Sequence, residues 1–307
     1  MNNSLILHHY ESSPYAEKIR LMLGLTNAQW YSCLTSVQPP RPSVDPLTGG
    51  YRRIPVAQIG ADIFCDSALI AQEISNMYGA PALDVTTQDD TAVALMQQAE
   101  KEAFFAAIGA VPPLRLLGTM LRSFGPLGMY RFAKDRAGML KGGTVRPPKG
   151  QEAEAIIGAL VDSLERRLEQ YAWVGGDQVS IADFATYHPL WLHVLCNRRD
   201  LKAGPKVADW YRRVTDIGHG QQEEISKAEV FKIAHEAEPR ALPDVADESS
   251  DLMGKQVAVM PSDYAMVAVE GTLVASNNER IIVLRETSDF GNLHVHFPKA
   301  GYSLTAI

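Results

Sequence analysis

Cysteine is scarce in this 307-residue chain: Cys33, Cys65 and Cys196 stand far apart, and no C-x-x-C occurs. That usage excludes a disulfide-stapled scaffold and supplies no zinc-site spacing. A basic excess is missing too, with 29 Lys and Arg against 36 Asp and Glu and a net charge of −7. General nucleic-acid binders carry the opposite balance, so no polyanion partner is expected. No apolar run approaches the ~18 residues of a membrane-spanning helix, and no membrane partner is expected. The start, MNNSLILHHYESSP, lacks a basic region and has only a tiny apolar core, so it does not read as a signal peptide. Internal repeats and low-complexity tracts are likewise absent. With 46% hydrophobic and 21% charged residues, the expectation is an ordinary globular protein of the reducing cytoplasm, long enough for two domains.

What is present changes character twice along the chain. Residues 4–9 read as a short buried strand, followed by a helix carrying Ile19, Leu21, Leu23 and Leu25. WYSCLTSV (30–37) is strand-like, and PPRPSVDPLTGGYRR (39–53) is a Pro- and Gly-rich loop. IPVAQIG and ADIFC flank a turn at Gly60, and DSALIAQEISNMYG opens a helix that Gly79 stops. The order β-α-β-loop-β-β-α describes a compact α/β unit. From about 88 to 235 no convincing strand shows. Long 3.6-residue periodicities replace them, with an interruption at Gly125-Pro126 and an S-x-x-D capping box at Ser180 and Asp183. Beyond the acidic, Pro-bearing stretch 235–251, KQVAVM, YAMVAVEGTLVAS, RIIVLRE and LHVHFP read as strands, with SNNE (276–279) as a hairpin turn. This last module of about 55 residues is near the lower size limit for folding alone, so it should dock on something.

Three short features of the α/β unit carry chemistry together. They are SSPY at the mouth of the first helix, RIPV (53–56) at a strand start, and Asp66-Ser67 opening the last helix. A helix cap alone would explain either serine, Ser12 or Ser13, and a cap would also explain Asp66 or Ser67. A trans proline at a strand start is common.

The combination resembles the glutathione transferase superfamily. S-P-Y-x-x-K-x-R is followed by a G-x-R/K-[VI]-P-V segment, an acidic-Ser pair and an S-x-A-D box, over roughly residues 4–235. The resemblance implies a thioredoxin-like domain at 1–82, an all-α domain at 83–238, a linker at 239–251 and, outside the family pattern, a small β-barrel-like module at 252–307. It also implies glutathione as co-substrate, a homodimer and no metal. A thiol of pKa ~8.5 is mostly protonated at neutral pH, so activation means stabilising the thiolate. A helix N-terminus with a serine hydroxyl supplies that, and counting back from Lys18 and Arg20 selects Ser13, with Ser12 the alternative. Pro55 stands where the family has a cis-proline, and Arg53, Ile54 and Val56 flank it. Val56 would pair with the tripeptide backbone like an added strand. Asp66, one methylene shorter than the family's usual Glu, would take the γ-glutamyl amine and Ser67 its carboxylate. Gln38 and Arg41 would help with the glycine carboxylate.

Phe104, Phe105, Phe124, Met129 and Tyr130 are candidates for the wall against which an electrophile sits, although aromatic stripes at helical spacing are more often core. Tyr10 is discounted as the activating group, because strand alternation puts His9 at the matching position. Cys65 reads as a structural thiol, which disfavours reductase chemistry. His188 and His193 read as core. His294 and His296 share one strand face and would suit a metal pair, but no third ligand is evident in the sequence, so a structural role is favoured. The leading expectation is therefore thiolate attack on a small hydrophobic electrophile. The alternatives are a non-catalytic binding or interaction protein of the same fold, and a glutathione-dependent isomerase or dehalogenase.

Overall fold

LILHH builds the strand β1 (Ile6–His9), every residue of which is buried. A strand covered on both faces shows no alternation of apolar and polar residues, as here. β1 lies parallel to β2 (Gln29–Leu34) and antiparallel to β3 (Val56–Ile59), and β3 pairs in turn with β4 (Asp62–Cys65). Helices α1 (Pro14–Leu25) and α3 (Ser67–Tyr78) flank the sheet, and a single turn, α2 (Asp45–Thr48), lies in the Pro-rich loop. This is a thioredoxin-like unit in the order the sequence predicts. The structure, a computed structural model, describes residues 4–243 and 251–307. Most of the expected 239–251 linker therefore lies outside the described residues.

The helical domain contains α4 (Asp90–Gln98), a π-helical turn at Ala99–Ala103, α5 (Phe104–Gly109), α6 (Pro113–Leu140), α7 (Gln151–Gln170), α8 (Ile181–Asn197) and α9 (Pro205–Asp216). α8 is the central helix, packed on α1 and α5. Its start is fixed by the predicted capping box: Asp183 accepts from Ser180 N at 2.9 Å, Val174 N at 2.8 Å and Trp210 Nε1 at 2.8 Å. α6 breaks where FGPLG predicts, with Gly125 at φ 65° and Pro126 behind it. One expectation fails in this region. Residues 221–224, QQEE, form β5 (Gln221–Glu224) parallel to β2, before α10 (Lys227–Glu236). All four β5 residues are exposed, so neither periodicity nor β-branching announces the strand.

The C-terminal strands are β6 (Gln256–Pro261), β7 (Val269–Ser276), β8 (Arg280–Thr287), β9 (Gly291–Pro298) and β10 (Tyr302–Ala306). They do not close into the expected barrel-like module. β9 pairs parallel with β4, giving one ten-stranded sheet in the order β10-β6-β7-β8-β9-β4-β3-β1-β2-β5. One face carries the core shared with α1, α3 and the helical domain, including Leu7, Ile19, Phe64 and Phe184. The other carries Ile6, Val56, Ile63 and Cys65 together with Val257, Val283, Val295 and Phe297. The SNNE turn joins β7 to β8 as predicted. Residues 264–268, read as strand, form a loop instead, in which Ala265 has φ 50°.

Candidate functional site

β1 and β4 are both antiparallel to β3, so they run in the same direction and their C-terminal ends share one edge of the sheet. α1 follows β1 and α3 follows β4, so both helix N-termini open at that edge, where α/β folds gather ligands. Ser13 caps α1: its Oγ accepts from Ala16 N at 3.3 Å, and only 1% of the residue is exposed. A hydroxyl that accepts this bond still has its hydrogen to donate. Ser12, by contrast, is exposed.

Asp66 caps α3 with φ 84°, and its Oδ1 accepts from Ala68 N at 3.0 Å. A non-glycine residue in that region costs about 1–3 kcal/mol and calls for a reason. The reason is where the carboxylate goes: Oδ2 accepts from Tyr302 Oη at 3.0 Å and lies 3.6 Å from Arg53 Nη1. Arg53 also pairs with Asp263, donates to the Tyr264 carbonyl at 2.7 Å and lies under the Tyr264 ring at 4.1 Å. Burial works against the Arg53 charge, yet Tyr264, Tyr51, Tyr302 and Asp263 hold its pKa above the ordinary arginine value. Burial pushes Tyr264 itself up to about 12. Three of these partners were not predicted: Asp263 and Tyr264 lie in the loop between β6 and β7, and Tyr302 opens β10. Nothing local marks them; they reach this edge through the β4–β9 junction and through contacts such as Thr144 N to the Asp263 carbonyl.

The apolar wall is partly as predicted. Phe104 packs on Tyr15 at 4.6 Å between ring centroids, and Phe105 meets Tyr264 edge-on at 5.5 Å. Tyr130 does not join them: it is 64% exposed, on a helix with no buried residue. Phe124 stacks on Phe132 of the same helix. The second half of α6 returns over the edge instead, where Asp135 takes both oxygens' worth of hydrogen bonds from Arg52 at 2.6 Å. Its end is tied to the loop after β6, since Ala265 N donates to Met139 O at 2.7 Å.

Other predicted residues fall elsewhere. Arg41 is 1% exposed and donates to the carbonyls of Ser36, Val37 and Arg52, so its donors serve the loop rather than a ligand. Burial brings it down to about 10. Gln38 sits in that same loop, half-buried. The Ile54–Pro55 bond is cis. Val56, however, stands between His8 of β1 and Cys65 of β4, with a strand at each edge, whereas Ile54 precedes the ladder. The three cysteines are buried and free, and burial raises their pKa values, Cys196 to about 11. His188 is fully buried against Tyr15, and His193 Nδ1 lies 2.9 Å from Ala107 O. The K-x-R pair is structural: Lys18 reaches Glu100 at 2.6 Å, and Arg20 joins Glu17, His9 and Glu11.

Residues 7–82 match the glutathione S-transferase N-terminal domain family, and residues 147–213 match the glutathione S-transferase C-terminal domain family. Among solved structures, a GST-like protein from Pseudomonas syringae is 31% identical, with 98% of this chain and 99% of that chain covered and a TM-score of 0.73. A glutathione S-transferase from Actinobacillus pleuropneumoniae is 18% identical over 68% of this chain and 86% of its own, at a TM-score of 0.42. One from Rhodospirillum rubrum is 17% identical over 69% and 87%, at 0.44. No curated protein is similar enough to count as a relative.

Proposed function

The chain belongs to the glutathione S-transferase superfamily, and on that premise we propose that it is a serine-type glutathione transferase. The observation that carries this reading is the shared edge, where Ser13 caps one helix and Asp66, beside Arg53, caps the other. In this reading the Ser13 hydroxyl and the α1 N-terminus stabilise the glutathione thiolate. Ile54, free of the ladder, takes the strand-like backbone pairing that the sequence assigned to Val56. Asp66 receives the γ-glutamyl amine, Ser67 with the α3 N-terminus receives its carboxylate, and Arg53 a second carboxylate. The electrophile lies against Phe104, Phe105 and Tyr264. The protein is a cytoplasmic homodimer in the same reading. Among the described residues, no single helix is long and apolar enough to cross a membrane.

Turnover of glutathione with a chlorodinitrobenzene, alongside calorimetry of glutathione binding, tests the assignment. Ser13→Ala should lose about 10²-fold in kcat while still binding the tripeptide. Unchanged turnover in that variant would reject Ser13 as the activating group. A second reading, a binding or interaction protein, draws on one observation: Asp263, Tyr264 and Tyr302 already satisfy Arg53 and Asp66. Absence of any binding heat at millimolar glutathione would favour it.

A further inference from the structure

At the far end of β4 from Asp66, three ligand-type side chains converge. The parallel pairing of β4 with β9 sets Asp62 beside His294 and Phe64 beside His296. Residues two apart on a strand share a face, so both imidazoles of the HVH stretch stand on the same side of the sheet as the Asp62 carboxylate. Asp62 Oδ1 lies 2.7 Å from His296 Nε2 and 3.9 Å from His294 Nδ1. One ligand atom from each residue falls within 4.8 Å of the other two. The third ligand that the sequence did not reveal is thus Asp62, 232 positions before His294 and adjacent to it only through the strand junction.

We propose that Asp62, His294 and His296 bind a divalent transition-metal ion of the zinc class. Donors held at about 2.0–2.1 Å around a tetrahedral ion are spaced about 3.3 Å apart, between the two separations measured from Oδ1. Side-chain adjustments of about 0.6 Å bring both Oδ1 separations to that spacing, while the two imidazole nitrogens, within 4.8 Å of each other, close by up to about 1.5 Å. The carboxylate is already oriented for it. Arg240 N donates to the other oxygen, Oδ2, at 2.9 Å, the kind of outer bond that fixes a ligating carboxylate. Arg240 Nε approaches the same oxygen at 3.5 Å, so the guanidinium is on the Oδ2 side and leaves Oδ1 to the imidazoles. The other charges facing the cluster are mutually paired: Glu73 accepts from Arg280 at 2.8 Å and from Arg240 at 3.2 Å.

A simple Asp62–His296 hydrogen bond would account for two of the three groups and leave the third unexplained. His294 Nδ1 is buried and has no hydrogen-bond partner among the described residues, although it faces Asp62. A buried nitrogen lone pair without a partner is costly, and a cation on the Oδ1 side would satisfy it. Binding requires the Nε2 lone pair of His296, so the proton that Nε2 now shares with Asp62 moves to Nδ1 of the same ring, which is buried without a partner among the described residues in either tautomer, and the imidazole stays neutral. A water would complete a four-coordinate set, since zinc sites with three protein ligands keep an open position. Two imidazoles and one carboxylate suit zinc, with cobalt and nickel as substitutes, rather than calcium or magnesium.

The test uses the full-length protein after chelator treatment and removal of the chelator. Zinc titration by calorimetry should give one ion per chain, and cobalt should give the visible absorption of a four-coordinate site. His294→Ala, the least buried of the three, should weaken zinc binding by about tenfold or more and abolish the cobalt bands, with its circular dichroism and unfolding midpoint in chelator unchanged. Because His296→Ala could disturb the core beside Phe64, His294→Ala is the deciding variant. No zinc binding by the wild type at about 100 μM, or equal binding by wild type and His294→Ala, would overturn the site.

Discussion

His8 and His9 are neighbours on β1 and point to opposite faces, so each is buried in a different setting. His8 Nε2 donates to Gln58 Oε1 at 3.1 Å. Arg20 can only donate, so His9 Nδ1 accepts from it at 2.9 Å and Nε2–H donates to Ser32 Oγ at 2.9 Å. Burial brings His8 down to about 4; burial and the Arg20 charge bring His9 down to about 3. Both rings therefore stay neutral in the folded protein while the unfolded chain takes up protons below about pH 6.5. The unfolded state then binds more protons, so this stability is full above pH 6.5 and is lost as the pH falls towards 4 and 3. Between pH 7 and 5 each histidine should remove about 2 kcal/mol. Urea unfolding at the two pH values measures this, and His8→Gln, which keeps a donor for Gln58, should reduce the drop by about 2 kcal/mol. A stability that is flat from pH 7 to 5 would contradict the neutral, buried assignment of both rings.

At the scale of elements, the sequence is most readable where a local pattern decides the structure. The order of β1 to α3, the Ser180–Asp183 capping box, the Gly125 break and the SNNE hairpin all follow from spacing, caps or turn residues within a few positions. It is least readable where a segment is held by distant partners. QQEE becomes β5 because β2 offers an open edge, and YSLTA becomes β10 because β6 does. The loop at 262–268 is the instructive case, since YAMVA has strand-like composition yet runs from the Asp263–Arg53 pair to the Met139 carbonyl. Of the candidate site, Ser13, Arg53, Asp66 and Ser67 were legible from motifs, whereas Asp263, Tyr264 and Tyr302 arrive from the far end of the chain. Asp263 holds Arg53 as a ligand carboxylate would, so the loop and the tripeptide should compete for it. Asp263→Asn removes the competing charge and should tighten glutathione binding by about tenfold, read by calorimetry. Equal or weaker binding in this variant would mean that the loop supports the ligand instead of excluding it.

Across the whole molecule, the decisive feature is that β4 has a strand on both sides. In a thioredoxin-like unit ending at β4, that strand would expose a row of unpaired backbone groups. Here β9 takes that edge, and Ile63 and Cys65 enter the same core as Val283, Val295 and Phe297. This resolves the size problem posed by residues 252–307, because their apolar face is completed by the first domain. Cross-links reinforce the junction: Arg285 donates to the carbonyls of Pro46 and Leu47, and Tyr302 hydroxyl meets that of Tyr51 at 2.5 Å. A sheet continuous in this way should unfold as one unit. All four tryptophans, Trp30, Trp173, Trp191 and Trp210, lie outside the C-terminal strands, so fluorescence alone would report only on the remainder. Native-state hydrogen exchange covers both sides of the junction. Amides of β8 and β9 should open with the same free energy, and the same denaturant dependence, as those of β1 and β3. If β8 and β9 instead exchanged through an opening well below the global value, with a smaller dependence on denaturant, the C-terminal strands would be a separate folding unit laid against the first domain. The positions of Tyr264 and Tyr302 over Arg53 and Asp66 would then be conditional on that docking.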